Sequence, residues 1–324
     1  MMADRSCYIG IDTSNYTTSV AVVDQGGCVL ANLKAPLPVK PGERGLRQSD
    51  ALFAHTKNLP GLMDQLREIL HPDGQEPLRV VGVGYSARPR NVQGSYMPCF
   101  LAGVSAARTL AAALNVPTVE LSHQDGHVMA AMYAAGATDM LLQTPFIAFH
   151  VSGGTTEMLH VTPQEGGFSI RLLGQSLDLH AGQAVDRIGV AMGMQFPAGP
   201  AMEQAAAAYD GKVPKPRISV KGCDCHLSGL ENLALALYRD TGDASLTAAY
   251  TLDFIAASLV AMCTAAKAAC GDLPVLFAGG VMSNRRIQRA IAAHFPDAYF
   301  ATPAFSADPP PYFPHVFGKY VEFL

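Results

Sequence analysis

The sequence predicts an α/β protein of two similarly built lobes with a cleft between them, and three observations lead there. The chain has 324 residues, long for a single hydrophobic core. Each half opens with short β-rich runs joined by tight turns and continues with alternating helical and strand patterns. Glycine-bearing turns recur at strand ends, where backbone N–H groups can cradle an anion. Nearly half the residues, 49%, are apolar, enough for a sizeable core. The net charge of -4 argues against a strongly basic nucleic-acid binder, although a local basic patch is compatible with it.

In the first half, "YIGID" and "TSVAVVD" are β-rich, and Gly26-Gly27 turns the chain into "CVLANLKA", making a meander. "SDALFAHTKNLPGLMDQLREIL" sets Leu52, Leu59, Leu62, Leu66 and Ile69 at about helical spacing, with Pro60 a place to break or kink the helix. A nearly continuous apolar strand, "LRVVGVGYSA", an Ala-rich helix, "CFLAGVSAARTLAAALN", and a strand, "PTVEL", follow. In the second half, "FIAFHVSGGTTEMLHVTPQEGGFSIRLLGQS" is again three strands with glycine turns. "HAGQAVDRIGVAMGM" is a helix, and "AYTLDFIAASLVAMCTAAKAACG" a long amphipathic one ended by Gly271. "PVLFAGGV" is a strand and "NRRIQRAIAAHF" a helix. The halves share element order and no visible sequence identity. The expected lobes are residues 1–143 and 144–324.

The N-terminal "MMADRSCYIGIDTS" shows no signal-peptide pattern, since Asp12 interrupts any apolar run. No stretch reads as a membrane span; Arg108 sits inside "FLAGVSAARTLAAAL". Seven scattered cysteines fit reduced thiols better than a disulfide framework, so a cytoplasmic protein without a membrane partner is expected. Cys223, Cys225 and His226 in "CDCH" lack the usual zinc spacing and read as a loop.

Three turns have phosphate-handling character: "GIDTSN" with Asp12 at a strand end, "HVSGGTTE" from His150 to Glu157, and "FAGGVMSN" leading into a helix N-terminus. Each alone is compatible with a plain turn; together they suggest a bound nucleotide. In "LDLHAGQAVDRIG", Asp178 reads as a helix N-cap, and Asp186 as either a solvated residue or a ribose partner. "FPAGPAMEQ" is a rigid turn, either structural or lying against a sugar or base. In "SHQDGHV", His123 and His127 stand four apart on one helix face. They can converge on one metal ion, or be two ordinary surface histidines; Gln124 occupies the place where a metalloprotease needs its glutamate.

These stretches, with "AHTKNLP", "HLSGLEN" and "AGGVMSNRRI", resemble the TsaD/Gcp (glycoprotease) family of tRNA threonylcarbamoyladenosine synthases from about residue 8 to 308. The resemblance implies the two-lobed actin-like ATPase fold of the actin, heat-shock-chaperone and sugar-kinase superfamily, with an interlobe nucleotide cleft. It implies one divalent metal, iron or zinc, on His123, His127 and Asp308. It implies an adenine nucleotide or threonylcarbamoyl-AMP on His150, Val151, Ser152, Gly153, Gly154, Asp186, Gly199 and Asn284, to which the turn reading adds Asp12. The implied activity is an acyltransferase moving threonylcarbamoyl from threonylcarbamoyl-AMP to an anticodon-loop adenosine of tRNA. Partner proteins of the transfer complex, or a homo- or heterodimer, are expected with it. Arg44, Arg47, Lys57, Arg88 and Arg90 offer phosphate contacts, or else form a solvated mixed-charge surface.

The chain departs from the family at definite places. Tyr16-Thr17 stand for an acidic pair, Thr155 for a histidine, "SARPRNVQGSY" for a Gly-Pro-Gly loop, and "DLHAGQ" for Asp-Asp-x-x-Gly-Glu. Asp308 precedes three prolines and an aromatic tail. The pattern is that of a divergent paralogue. A nucleotide- and metal-binding regulatory or scaffold subunit, or a carbamoyltransferase with another acceptor, therefore stands beside the transferase reading. Peptidase chemistry is disfavoured, because no Ser-His-Asp or Cys-His constellation is evident.

Overall fold

Two five-stranded sheets are built on one plan. The structure, a computed structural model, describes residues 5–14, 16–38 and 46–301. The first sheet comprises β1 (Ser6–Asp12), β2 (Thr17–Asp24), β3 (Val29–Pro36), β4 (Arg79–Arg88) and β5 (Thr118–Ser122), in the order β3-β2-β1-β4-β5. β1, β2 and β3 are antiparallel neighbours; β4 joins β1 in parallel and β5 joins β4 in parallel. Helices α1 (Gln48–Leu70) and α2 (Phe100–Leu114) are the connections, as parallel strands require. After β5 come α3 (His123–Ala134) and the single turn α4 (Thr138–Leu141).

The second sheet uses β6 (Phe146–Val151), β7 (Thr156–Gln164) and β8 (Gly167–Gln175), then α5 (Ala181–Ala191) and α6 (Gly199–Ala207). A small hairpin, β9 (Ser219–Lys221) and β10 (Asp224–His226), precedes α7 (Ser228–Thr241) and α8 (Ala244–Cys270). β11 (Val275–Ala278), α9 (Arg285–Ala292) and β12 (Tyr299–Phe300) finish the described chain. The order β12-β11-β6-β7-β8 repeats the first sheet's pattern of a meander extended by parallel strands. By packing, the described residues up to Ala130 together with Gln164–Ser169 form one unit; Ala131–Pro163 and the described residues from Ile170 onward form the other. The division falls inside α3, earlier in the chain than residue 143.

In the first unit, Ile9, Ile11, Val20 and Val22 from the sheet pack with Leu59, Leu62 and Leu66 of α1 and Ala107 and Ala111 of α2. Each of the buried isoleucines, valines and leucines contributes about 1.5–3 kcal/mol, the alanines less. That apolar face explains why α1 runs unbroken through Pro60: leucines on both sides of the proline are anchored in one core. β3 alternates half-buried and exposed positions, as a sheet edge facing water on one side does.

Three sequence expectations need correction. α8 is not amphipathic: buried residues such as Thr247, Tyr250, Phe254, Ser258 and Met262 fall on most of its faces. By length and composition this 27-residue helix is also apolar enough to cross a membrane, yet 72% of its most apolar window is buried inside the protein. It is a core helix packed against α6, α7 and α9, and it begins five residues before the "AYTLDF" start read from the sequence because Asp243 caps it. The "CDCH" stretch is a hairpin instead of a loop, with Cys225 fully buried in β10 and Gly222 supplying the left-handed turn residue at φ 60°.

One core residue carries a charge question. His55 of α1 is fully buried; its Nδ1 lies 2.9 Å from Thr18 Oγ1, and its Nε2 has no hydrogen-bond partner. Burial pushes its pKa down from 6.5 to about 4, with Asp12 opposing the shift. The folded state therefore holds His55 neutral where the unfolded chain would protonate it. Its contribution is fully present above pH 6.5 and is lost progressively as pH falls towards about 4. Chemical denaturation across that window will show a steep loss of stability in the wild type and a shallower one in His55→Gln.

Candidate functional site

The pocket that collects the most sequence-flagged residues lies wholly within the second unit and measures about 350 Å³. Its walls come from the end of β6, the start of α5, the turn into α6 and the segment after β11. The geometry follows from close backbone approach. The chain after β6 turns tightly, Ser152 N–H donating to Thr155 O at 2.7 Å. Gly182, at the start of α5, packs on this turn and donates its N–H to Ser152 O at 3.1 Å; a Cβ there would lie 2.7 Å from Gly153 Cα. Gly279, at φ 103°, crosses over Val151, whose carbonyl oxygen would lie 2.3 Å from an added Cβ. Only glycine allows either contact.

Of the nine expected nucleotide positions, Gly153, Asp186, Gly199 and Asn284 line this pocket; His150, Val151, Ser152, Gly154 and Asp12 do not. Val151 is fully buried, so its part is to hold the floor through its backbone. Asp186 Oδ1 accepts the Ala198 N–H at 2.8 Å, fixing the rigid turn before α6, and the residue lines the pocket. Asn284 caps α9 through Arg286 N–H (3.0 Å) and Ile287 N–H (3.1 Å). Glu203 was not foreseen: it lines the pocket from α6 and accepts the Arg285 N–H at 2.8 Å. Its position four residues after Gly199 on a helix is the signal that would have found it.

Asp178 does cap a helix, but not the one beside it. Its carboxylate accepts N–H groups from Leu227 and Ser228 at the start of α7, and the Ser228 hydroxyl at 2.5 Å. Burial opposes ionisation there, yet these bonds hold its pKa down at about 2. The cap residue of α5 is His180, whose backbone N–H donates to Gln183.

The histidine pair belongs to α3. His123 is its first residue, directly after β5, so both rings sit at the carboxyl end of the sheet. Their Nε2 atoms are 2.8 Å apart and the rings meet edge to face, 4.2 Å between centroids. Asp12, at the end of β1, lies against the far side of His123, Oδ2 to Nδ1 at 3.0 Å. Ser14 donates its N–H (3.2 Å) and hydroxyl (2.7 Å) to Asp12, and Ser86 its hydroxyl (2.5 Å). Burial works to raise the Asp12 carboxyl, but attraction to His123 and these hydrogen bonds outweigh it and hold the group well below the usual carboxylate range. Asp125, between the histidines in sequence, points the other way, accepting from Ser122 and from Asn91 Nδ2 (2.9 and 2.8 Å). Burial pushes its pKa up and those bonds only partly offset it.

Two convergent Nε2 atoms, one ring braced by a carboxylate, form a donor set that suits a divalent cation with imidazole affinity. Among the described residues no group of three His, Cys, Asp or Glu side chains is arranged to hold a metal ion. The expected third ligand, Asp308, lies outside the described residues.

Known proteins locate this architecture. Full-length HypF, solved in a phosphate- and nucleotide-bound form, is 12% identical with a TM-score of 0.57, over 97% of this chain and 47% of that one. HypF of T. kodakarensis is 14% identical at a TM-score of 0.53, over 98% and 48%. Component A of the Acidaminococcus fermentans (R)-2-hydroxyglutaryl-CoA dehydratase is 11% identical at 0.51, over 98% and 99%. The chain thus spans about half the length of the HypF chains it matches. At such identities the likeness shows the fold alone, the two-lobed actin-like α/β class. Either glycine contact can be broken singly: Gly182→Ala and Gly279→Ala are expected to cost ~1–3 kcal/mol by overpacking, whereas Gly154→Ala, with open space at its Cβ, stays within ~0.5 kcal/mol in chemical denaturation. The model of the family TsaD, tRNA N6-adenosine threonylcarbamoyltransferase, matches residues 45–309, and the chain belongs to that family.

Proposed function

We propose that this protein transfers a threonylcarbamoyl group from threonylcarbamoyl-AMP to N6 of an anticodon-loop adenosine in tRNA. The observation that carries the reading is the glycine-walled pocket of the second unit, with Asp186, Glu203 and Asn284 on its rim, in a chain of this family. Its size suits the adenylate half of the donor. Gly153, Gly199 and Gly280 present backbone without side chains, so a sugar and phosphate can lie close. Asp186 and Glu203 each engage a backbone N–H with one oxygen and offer the other to ribose hydroxyls.

In the reaction N6 attacks the carbamoyl carbon, the new N–C bond forms, the C–O bond to phosphate breaks, and AMP leaves with the electron pair. N6 loses one proton to solvent or base. No covalent protein nucleophile is needed, because the mixed anhydride is already activated; orientation of the weak amine supplies much of the acceleration. A divalent iron or zinc ion on His123 and His127, with Asp308 as the expected third ligand, would supply Lewis-acid stabilisation of developing negative charge. Partner proteins of the transfer complex belong to the same reading.

One observation favours a second reading. Where the family carries an acidic pair, Asp178 is occupied in capping α7 and the next residue, Leu179, is buried at 5% exposure. A subunit that binds adenine nucleotide without transfer to tRNA, or that carbamoylates another acceptor, would show this loss.

The deciding assay incubates the protein, with and without candidate partner proteins, with threonylcarbamoyl-AMP and tRNAs reading codons that start with A, then measures the modified nucleoside by mass spectrometry. Its formation, abolished in His123→Ala, is the expected result. Nucleotide binding with no modified adenosine under every partner condition favours the second reading. Asp186→Asn, which keeps an acceptor for Ala198, should weaken AMP binding about tenfold by calorimetry, ~1.4 kcal/mol.

A further inference from the structure

Asp12 was expected among nucleotide contacts, yet it is committed elsewhere. Its Oδ1 accepts the Ser14 N–H and the Ser86 hydroxyl, and its Oδ2 accepts the Ser14 hydroxyl. Oδ2 also lies 3.0 Å from His123 Nδ1, and the Ser14 hydroxyl, which donates to Oδ2, lies 2.9 Å from the same nitrogen. An ionised carboxylate only accepts hydrogen bonds. With the Ser14 hydroxyl proton directed at Oδ2, both that hydroxyl and the carboxylate present lone pairs to Nδ1, so the proton sits on Nδ1 whether the ring is neutral or charged. In the neutral ring this leaves a lone pair on Nε2, which faces His127 Nε2 at 2.8 Å. That spacing fits His127 donating its Nε2 proton to His123.

We propose that Asp12 is a positioning residue that locks His123 in the Nδ1–H tautomer, so that the Nε2 lone pair is preset towards His127 and a divalent cation has only one proton, that of His127 Nε2, to displace. Three features support it. The carboxylate cannot swing away, being held from three sides by Ser14 and Ser86 on the ends of β1 and β4. The ring is engaged at both nitrogens, by Ser14 and Asp12 at Nδ1 and by His127 at Nε2, with Phe100 of α2 tilted beside it at 6.4 Å between centroids. The bond made by one ring nitrogen decides which nitrogen carries the proton, and such carboxylate–histidine pairs raise the basicity of the ligating nitrogen.

The metal half of this inference rests on the proposed function; the tautomer half does not. The first test needs no metal. Long-range ¹⁵N–¹H correlation spectra of the metal-free protein, at about pH 8 and so above the ordinary histidine pKa of ~6.5, assign the protonated nitrogen of His123. Nδ1–H in the wild type and a shift towards Nε2–H in Asp12→Ala are expected. The second test titrates Zn²⁺ into the wild type, Asp12→Ala and the isosteric Asp12→Asn. Loss of about 10–100-fold in affinity is expected for Asp12→Ala, with Asp12→Asn between. Should Asp12→Ala fail to fold, Ser86→Ala, which removes one brace and leaves the carboxylate, provides the same comparison with a smaller loss. A wild-type His123 protonated at Nε2, or Zn²⁺ affinity unchanged across all three variants, overturns the proposal. The expected tautomer in a protein that takes up no Zn²⁺ supports the Asp12–His123 lock and removes the metal reading instead.

Discussion

Parallel pairing at the centre of each sheet is the constraint from which the candidate sites follow. Where parallel strands end together, the chain must leave the sheet in the same direction, and the loops gather at the carboxyl edge. In the first sheet those ends are Asp12 of β1, Ser86 near the end of β4 and His123 just past β5. In the second they are Val151 of β6 and Ala278 of β11, each followed by a glycine turn. The same strand order thus places a polar cluster at one edge and a backbone-walled pocket at the other. The two edges differ because their loops differ: short side chains and hydroxyls in the first, bare glycine in the second.

Energetics separate the two carboxylates nearest the histidine pair, Asp12 and Asp125. A buried ionised group is costly unless it is surrounded by donors. Asp12 meets that condition with two serines and a histidine, and its pKa falls despite burial. Asp125 has Ser122 and Asn91 but no cationic neighbour close enough to prevail, and its pKa rises. The first is thereby suited to orient an imidazole, the second to tie the segment after β4 to the start of α3. Asn91 belongs to the stretch that departs from the family's Gly-Pro-Gly loop, so the departure has gained an anchor of its own.

Local signals were legible in the chain; partnerships across it were not. Both meanders were readable because Gly26-Gly27 and Gly166-Gly167 mark turns between β-rich runs, and α1 because its leucines keep helical spacing. The α7 helix and the β9–β10 hairpin escaped notice: Gly229 inside the first turn of α7 reads as a turn residue, and the hairpin has only three residues per strand. The histidine pair was visible from its spacing of four. Its brace was not, since Asp12 and His123 lie 111 positions apart and meet only through the order of β1, β4 and β5. Asp178 shows the same limit: it reads as the cap of the helix that follows it and in fact caps one 50 positions later.

The departures from the family pattern sort by whether backbone or side chain does the work. Thr155 replaces a histidine, but the turn it closes uses its carbonyl, which any residue supplies. Thr156 then receives the Ala181 N–H on its hydroxyl at 2.9 Å, joining the turn to α5. Gly182 and Gly279, where a side chain would collide with backbone, are retained. A frame made of main-chain contacts tolerates change at the side chains it displays, so the pocket's shape is conserved by physics while its surface chemistry is free to drift. Tyr16-Thr17 and Thr155 drifted where the frame does not require the side chains. Leu179 drifted in the other direction: it joins the apolar core of the second unit at 5% exposure, so there the frame itself uses the change. Divergence at displayed positions alters what meets a molecule in the pocket sooner than it alters the pocket's main-chain walls.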